Sequence, residues 1–183
     1  MSKSVKGSSF EREICKQFSL WWTDDERDDI FWRTSGSGAR ATTRRKTNKK
    51  TKYEYGDVSF TDPVGQLLID TFLIELKRGY SADISVLDFL DKKTGKNTLL
   101  LQWWNKAEEE RKFAKRKYSL IIFRRNRKEA CVLMDIELYI KLEQQCGDTE
   151  KNNIKIETIK NVFEIILLSD FFTWVSPSSI KNL

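Results

Sequence analysis

The sequence predicts an α/β protein in which helices flank a central mixed β-sheet. Three observations predict it. Apolar residues recur at helical spacing in 10–22 and again from Leu99 to about Lys117. Around them lie short runs rich in β-branched and aromatic residues, bounded by turn residues. The elements follow one another as helix, strands, helix, strand pair, helix, strand, an order that a sheet layered between helices satisfies. A chain of 183 residues holds one such domain with a full core and is too short for two ample ones, so 1–183 is read as a single domain.

Each element has its own signal. Phe10, Ile14, Phe18, Trp21 and Trp22 mark the first helix, with Ser8 or Ser9 as its N-cap. Residues from Arg33 to Lys52 carry Gly36, Gly38 and many Ser, Thr and Lys, and read as a mobile basic loop. Tyr55 to Phe60 and Leu67 to Lys77 read as strands, joined through Asp62-Pro63 and Gly65. After the second helix, Ser119 to Phe123 and Ala130 to Met134 read as strands bracketing the turn at Arg124 to Lys128. Asp135 caps a helix reaching about Gln145, and from about residue 146 a C-terminal extension brings a polar link, a strand near Val162 to Leu168, and an aromatic tail ending in Trp174.

Composition limits the chemistry. The chain has no histidine, so His-based triads and His-ligated metals are excluded, and catalysis has carboxylates, lysine and metal to work with. Three widely separated cysteines (Cys15, Cys131, Cys146) with no CxxC pair suit a reducing cytoplasm, bacterial, archaeal or that of a virus-infected host. No segment approaches the roughly 20 apolar residues of a membrane helix. The net charge of +6 is unevenly spread. Eight basic residues and no acid lie between Arg33 and Lys52 (Arg33, Arg40, Arg44, Arg45, Lys46, Lys49, Lys50, Lys52), and nine more with no acid between Arg111 and Lys128. Segregated positive charge fits a polyanion, because each neutralised phosphate releases condensed counterions. A solvated surface is the alternative.

The candidate site begins with Glu75 and Lys77. Alternation along a strand puts both on one face, about 7 Å apart at two residues of roughly 3.3 Å each. There the carboxylate can bind a metal and the ammonium can orient water or neutralise phosphate; a strand-end salt bridge would look the same. Asp57, after Gly56 at a strand start, can converge with Glu75 on a hard cation such as Mg2+. Asp62 fits better as a turn residue, and Asp70 falls on the face opposite Glu75. On a helical wheel of about 100° per residue, Glu11 falls inside the apolar stripe of the first helix. A carboxylate so placed needs a cation or a basic partner.

Lys6 to Glu13 (KGSSFERE), Arg33 to Gly38 (RTSGSG), Gly56 to Val58 (GDV) and Ile74 to Lys77 (IELK) resemble, in that order, the PD-(D/E)xK nuclease superfamily. Within it the chain is most similar to archaeal-type Holliday junction resolvases, over roughly the first 80 residues. The resemblance implies a restriction-endonuclease-like core and a Mg2+-dependent DNA endonuclease, with Mn2+ able to substitute. Asp57, Glu75 and Glu11 would be the acidic metal-site residues and Lys77 the catalytic lysine. Arg33 and Ser35 or Ser37 would lie on a loop approaching the scissile phosphate, with Arg40, Arg44, Arg45, Lys46, Lys49 and Lys50 as further DNA contacts. Gln102 is a candidate site-facing amide, a plain helix-surface amide being the alternative. A homodimer acting on branched or junction DNA follows from the same resemblance, with 5′-phosphate and 3′-hydroxyl products. Trp103, Trp104 or Trp174 would serve a dimer contact or the core. The longer gap between Asp57 and Glu75, the basic insertion and the C-terminal hundred residues depart from the compact resolvases. They leave room for a restriction-type endonuclease, a recombination exonuclease, or an inactive nucleic-acid-binding protein.

Overall fold

The structure, a computed structural model, describes residues 3–34, 55–79, 84, 98–158 and 160–183. It opens with helix α1 (Lys3–Trp22), which starts ahead of the expected Phe10, so Ser8 and Ser9 lie inside it rather than capping it. Phe10, Ile14 and Phe18 recur every four residues and are fully buried, as that spacing demands. Asp24 and Asp25, both at positive φ, turn the chain out of the helix. Ser19 ties α1 to the next segment: its buried hydroxyl donates to the Cys15 carbonyl and accepts from the Phe31 N–H.

That segment is β1 (Phe31–Arg33), whose last residue, Arg33, was expected to open the basic loop. It pairs antiparallel with β2 (Val58–Phe60) as a separate two-stranded ribbon. The expected strand from Tyr55 thus shortens to three residues and stands apart from the main sheet. A 3-10 turn (Pro63–Gly65), with the Asp62 carboxylate accepting from the Val64 N–H, leads into helix α2 (Gln66–Thr71). The expected strand from Leu67 is therefore helical for its first five residues. Only Phe72–Arg78 extends, as β3. Asp70 lies exposed on α2 and accepts from Gln66, away from Glu75.

Among the described residues the main sheet has five strands: β3, β4 (Tyr118–Arg124), β5 (Ala130–Asp135), β6 (Asn153–Glu157) and β7 (Val162–Leu167), in the order β3-β4-β5-β7-β6. β3 and β4 are parallel and the other pairs antiparallel, so the sheet is mixed as predicted. Parallel neighbours require a crossover, and it carries helix α3 (Leu99–Ala114). On one face α3 lays Leu100, Trp103, Trp104 and Ala107 over Leu73, Ile121, Phe123, Leu133 and Ile165. On the other face α1, α4 (Ile136–Cys146) and α5 (Leu168–Trp174) cover Ile74, Leu76, Leu120, Ile122 and Val132, with α6 (Pro177–Ile180) closing the end.

Asp135 caps α4 as expected, accepting from the Leu138 N–H. The expected polar link gives way at Asn153 to β6, a strand the sequence pattern does not mark, so the region from about residue 146 supplies two strands of the sheet itself. Trp103, Trp104 and Trp174 are all buried, which places them in the core rather than at a subunit contact. No described helix is long and apolar enough to cross a membrane.

Candidate active site

Among the described residues β3 is an edge strand, and its outer backbone groups need partners. Asp57 supplies two. Its N–H donates to the Ile74 carbonyl at 2.8 Å, and its carboxylate Oδ2 accepts from the Leu76 N–H at 2.8 Å. The Asp57 carbonyl in turn accepts from the N–H of Thr34, at the end of β1. A side chain so fixed is aimed by the backbone of the very strand that carries Glu75.

Gly56 makes this approach feasible. Its φ is +73°, and a Cβ there would lie 2.8 Å from the Ile74 carbonyl oxygen. Both facts exclude a larger residue: the left-handed conformation alone costs an L-residue roughly 1–2 kcal/mol, and the clash is with backbone that cannot swing away. Gly56→Ala is expected to destabilise the chain by about 2 kcal/mol or more and to move Asp57 off the strand edge. Denaturant unfolding checks the first; a loss of divalent-cation binding at temperatures where the variant is folded checks the second.

Alternation along β3 sends Glu75 and Lys77 to the α3 side of the sheet, as the spacing predicts. Glu75 is 3% exposed and Asp57 is 7% exposed. Lys77 Nζ hydrogen-bonds Glu75 Oε2 and stands 3.9 Å from Asp57 Oδ2, bridging the two carboxylates. Lys106 Nζ, from α3, lies 3.9 Å from the other Glu75 oxygen, Oε1, and 3.6 Å from Glu110 Oε1. Burial, and next the negative charge of Glu75, push the Asp57 carboxyl up to about 7; Lys77 and the Leu76 N–H pull the other way. Burial is the larger cause, so the pocket disfavours the ionised Asp57 carboxylate despite the lysine beside it. Two buried carboxylates offering hard oxygens in that condition fit a divalent cation of the magnesium type.

Glu11 is on α1, partly buried, and its Oε2 lies 3.3 Å from Arg33 Nη1 on β1. The basic partner weighed as the alternative is therefore present. Glu11 still acts on the same neighbourhood: burial first, then Glu11, then Asp57 push the Cys15 thiol up to about 12, while Arg33 opposes them. A thiol so held stays protonated and is no nucleophile. Among the described residues, no three or more carboxylates and thiols gather closely enough to form a metal cage by themselves. Gln102 is exposed on α3, four residues before Lys106 and eight before Glu110, on one helical stripe. Ser35, Ser37, Arg40, Arg44, Arg45, Lys46, Lys49 and Lys50 lie outside the described residues.

The second basic run divides. Arg111 binds Glu108 and the Arg116 carbonyl, and buried Arg116 donates to the Phe72 carbonyl. This half closes the C-terminal end of α3 and the start of β3. Arg124 to Lys128 stands at the opposite end of β4, beside the end of β3 that carries Lys77 and Arg78. There Arg124 makes a two-pronged pair with Glu13 and sits 5.0 Å over the Phe10 ring.

A carboxylate followed by a Glu-x-Lys strand, converging on a buried edge, is the arrangement that a family match now names. A family model described as "Phage putative PDDEXK endonuclease" matches residues 2–182. The chain belongs to this family. Membership places it in the PD-(D/E)xK superfamily, makes it a nuclease with a nucleic-acid substrate, and brings a class of enzymes that generally use divalent metals. No curated protein and no solved structure matches the chain.

Lys106 and Glu110 were not singled out from the sequence. Their signal was the four-residue spacing from Gln102, which fixes a common stripe but not the strand that it faces.

Proposed function

We propose that this PDDEXK-family chain is a Mg2+-dependent DNA endonuclease selective for branched structure, resembling a Holliday junction resolvase in what it cuts. The observation that carries the reading is the convergence of Asp57 and Glu75 across the edge of β3, with Lys77 between them.

Asp57 and Glu75 would hold Mg2+, or Mn2+ in its place, with Glu11 completing the shell directly or through water. Bound there, the cation supplies Lewis acidity toward the phosphoryl oxygen and lowers the pKa of water. Lys77 orients the attacking water and stabilises charge developing on the phosphate. Water adds to phosphorus, the bond to the 3′-oxygen breaks, and the products carry a 5′-phosphate and a 3′-hydroxyl. Arg33, Ser35, Ser37 and the basic residues Arg40, Arg44, Arg45, Lys46, Lys49 and Lys50 would track the backbone, reading shape more than bases. A homodimer accounts for two symmetric nicks, one per site.

The test compares a four-way junction, linear duplex and single-stranded DNA, with Mg2+ or chelator, for the unaltered chain and Glu75→Ala. Paired nicks near the branch, lost with chelator and in the variant, are expected. Equal cutting of linear duplex would replace junction selectivity with a restriction-type or exonuclease reading. Salt-sensitive binding with no cleavage of any substrate would remove the enzyme.

A further inference from the structure

Lys106 is 57% exposed along its side chain, yet its ammonium stands within ion-pair range of buried Glu75. The two oxygens of Glu75 face different lysines: Oε2 bonds Lys77 on the same strand, and Oε1 is approached by Lys106 from α3. The two contacts differ in kind. Lys77 is 17% exposed and hydrogen-bonded, fixed between carboxylates, whereas Lys106 makes two looser contacts at 3.9 and 3.6 Å. Glu110, one turn further along α3, has its second oxygen Oε2 buried without a hydrogen-bond partner. Glu110 Oε1, 3.6 Å from Lys106 Nζ, gives the ammonium a second counterion on its own helix.

A divalent cation on the Glu75 carboxylate would compete electrostatically with the Lys106 ammonium, which stands 3.9 Å from Oε1. A lysine on an exposed, flexible stem can leave that position at small cost. We propose that Lys106 is an exchangeable counterion of the site: it neutralises Glu75 in the cation-free chain and, displaced by the divalent cation, contacts a phosphate of the nucleic-acid substrate. The inference rests on the metal site proposed above.

Two measurements on the full chain test it, with Lys106→Met as the variant, which keeps the length of the stem and removes the charge. In calorimetric titration with Mn2+ and no nucleic acid, loss of a competitor should tighten binding about two- to fivefold, the worth of a largely exposed ion pair of about 0.5–1 kcal/mol. In binding of duplex DNA, the log–log salt slope should fall by about 0.9 in the variant when Ca2+ fills the site, one phosphate contact's worth. With chelator the two proteins should show equal slopes. Mn2+ affinity that is unchanged or weaker in Lys106→Met overturns the proposal. So does a slope difference that is absent with Ca2+ or equally large with chelator. Glu75→Gln separates the two readings: if it leaves Mn2+ binding intact, the metal site itself is misplaced and the proposal falls with it. If it abolishes binding while Lys106→Met changes nothing, only the role of Lys106 is overturned.

Discussion

Asp57→Asn is expected to abolish cleavage and, at the same time, to make the metal-free chain more stable at pH 8. The carboxyl is raised from 3.8 to about 7 by burial and by Glu75, so the folded chain holds that proton more tightly than the unfolded chain. Its contribution to stability is fully present below about pH 4. It is lost as pH rises from there to about 7, and above 7 the full penalty of the buried charge stands. At about 1.4 kcal/mol per unit, with relaxation of the Glu75–Lys77 pair taking up part, the penalty is on the order of 2–4 kcal/mol. Asparagine retains a carbonyl oxygen that can accept from the Leu76 N–H, so the strand edge stays covered. Melting in chelator should rise by roughly 5–10 °C at pH 8, and the gain should shrink toward pH 5. With Mg2+ present the order reverses, since only the carboxylate form is stabilised by the cation. Cleavage should fall by about 10³-fold or more, because losing the proposed metal ligand would remove several kcal/mol of transition-state stabilisation. A variant less stable than the unaltered chain at pH 8, or equally stabilised at pH 5 and pH 8, would show that Asp57 is not held under this strain of charge.

How far the site could be read in advance depended on how local each signal was. Glu75 and Lys77 share a face because strand alternation is a property of three consecutive residues, and the structure keeps it. Asp57 needed more. Its neighbour Gly56 was visible, but that Gly56 exists to let a backbone pass 2.8 Å from another strand's carbonyl depends on contacts 18 residues away. Glu11 was legible as misplaced on an apolar helix face, whereas its pairing with Arg33 was not, because the three-residue strand that carries Arg33 leaves almost no periodicity. The same limit misassigned Leu67 to Thr71: a short apolar run looks alike as buried strand or buried helix, and the Asp62 cap with Pro63 decided it. β6 escaped notice for a different reason. It is an edge strand with four of its five residues exposed, so the apolar alternation that marks a half-buried strand is nearly absent. Lys106 was beyond local reading altogether. Only the crossover between parallel β3 and β4 lays α3 over Glu75, and that topology is a property of the whole chain.

Lys77→Met should give the opposite signature to Asp57→Asn in every measurement except turnover. Lys77 is the group that compensates two buried carboxylates, bonded to Glu75 and 3.9 Å from Asp57. Removing one partner of a buried pair leaves charge uncompensated, at a cost of about 3–5 kcal/mol. The metal-free variant should therefore melt well below the unaltered chain at pH 8, and lowering the pH should restore it as Asp57 takes up its proton. Mn2+ should bind the variant at least about tenfold more tightly, because the cation no longer competes with a fixed ammonium and relieves a larger repulsion. Yet kcat should fall about 10²- to 10³-fold, the worth of one preorganised donor to the charge that develops on phosphate. Tighter metal with slower turnover is the combination that distinguishes a lysine serving the reaction from one serving only the fold. A structural lysine would lower stability and, through a disordered site, weaken the metal as well. Weaker Mn2+ binding in Lys77→Met, or turnover within a few-fold of the unaltered chain, would reassign Lys77 to the fold and leave water activation to another group.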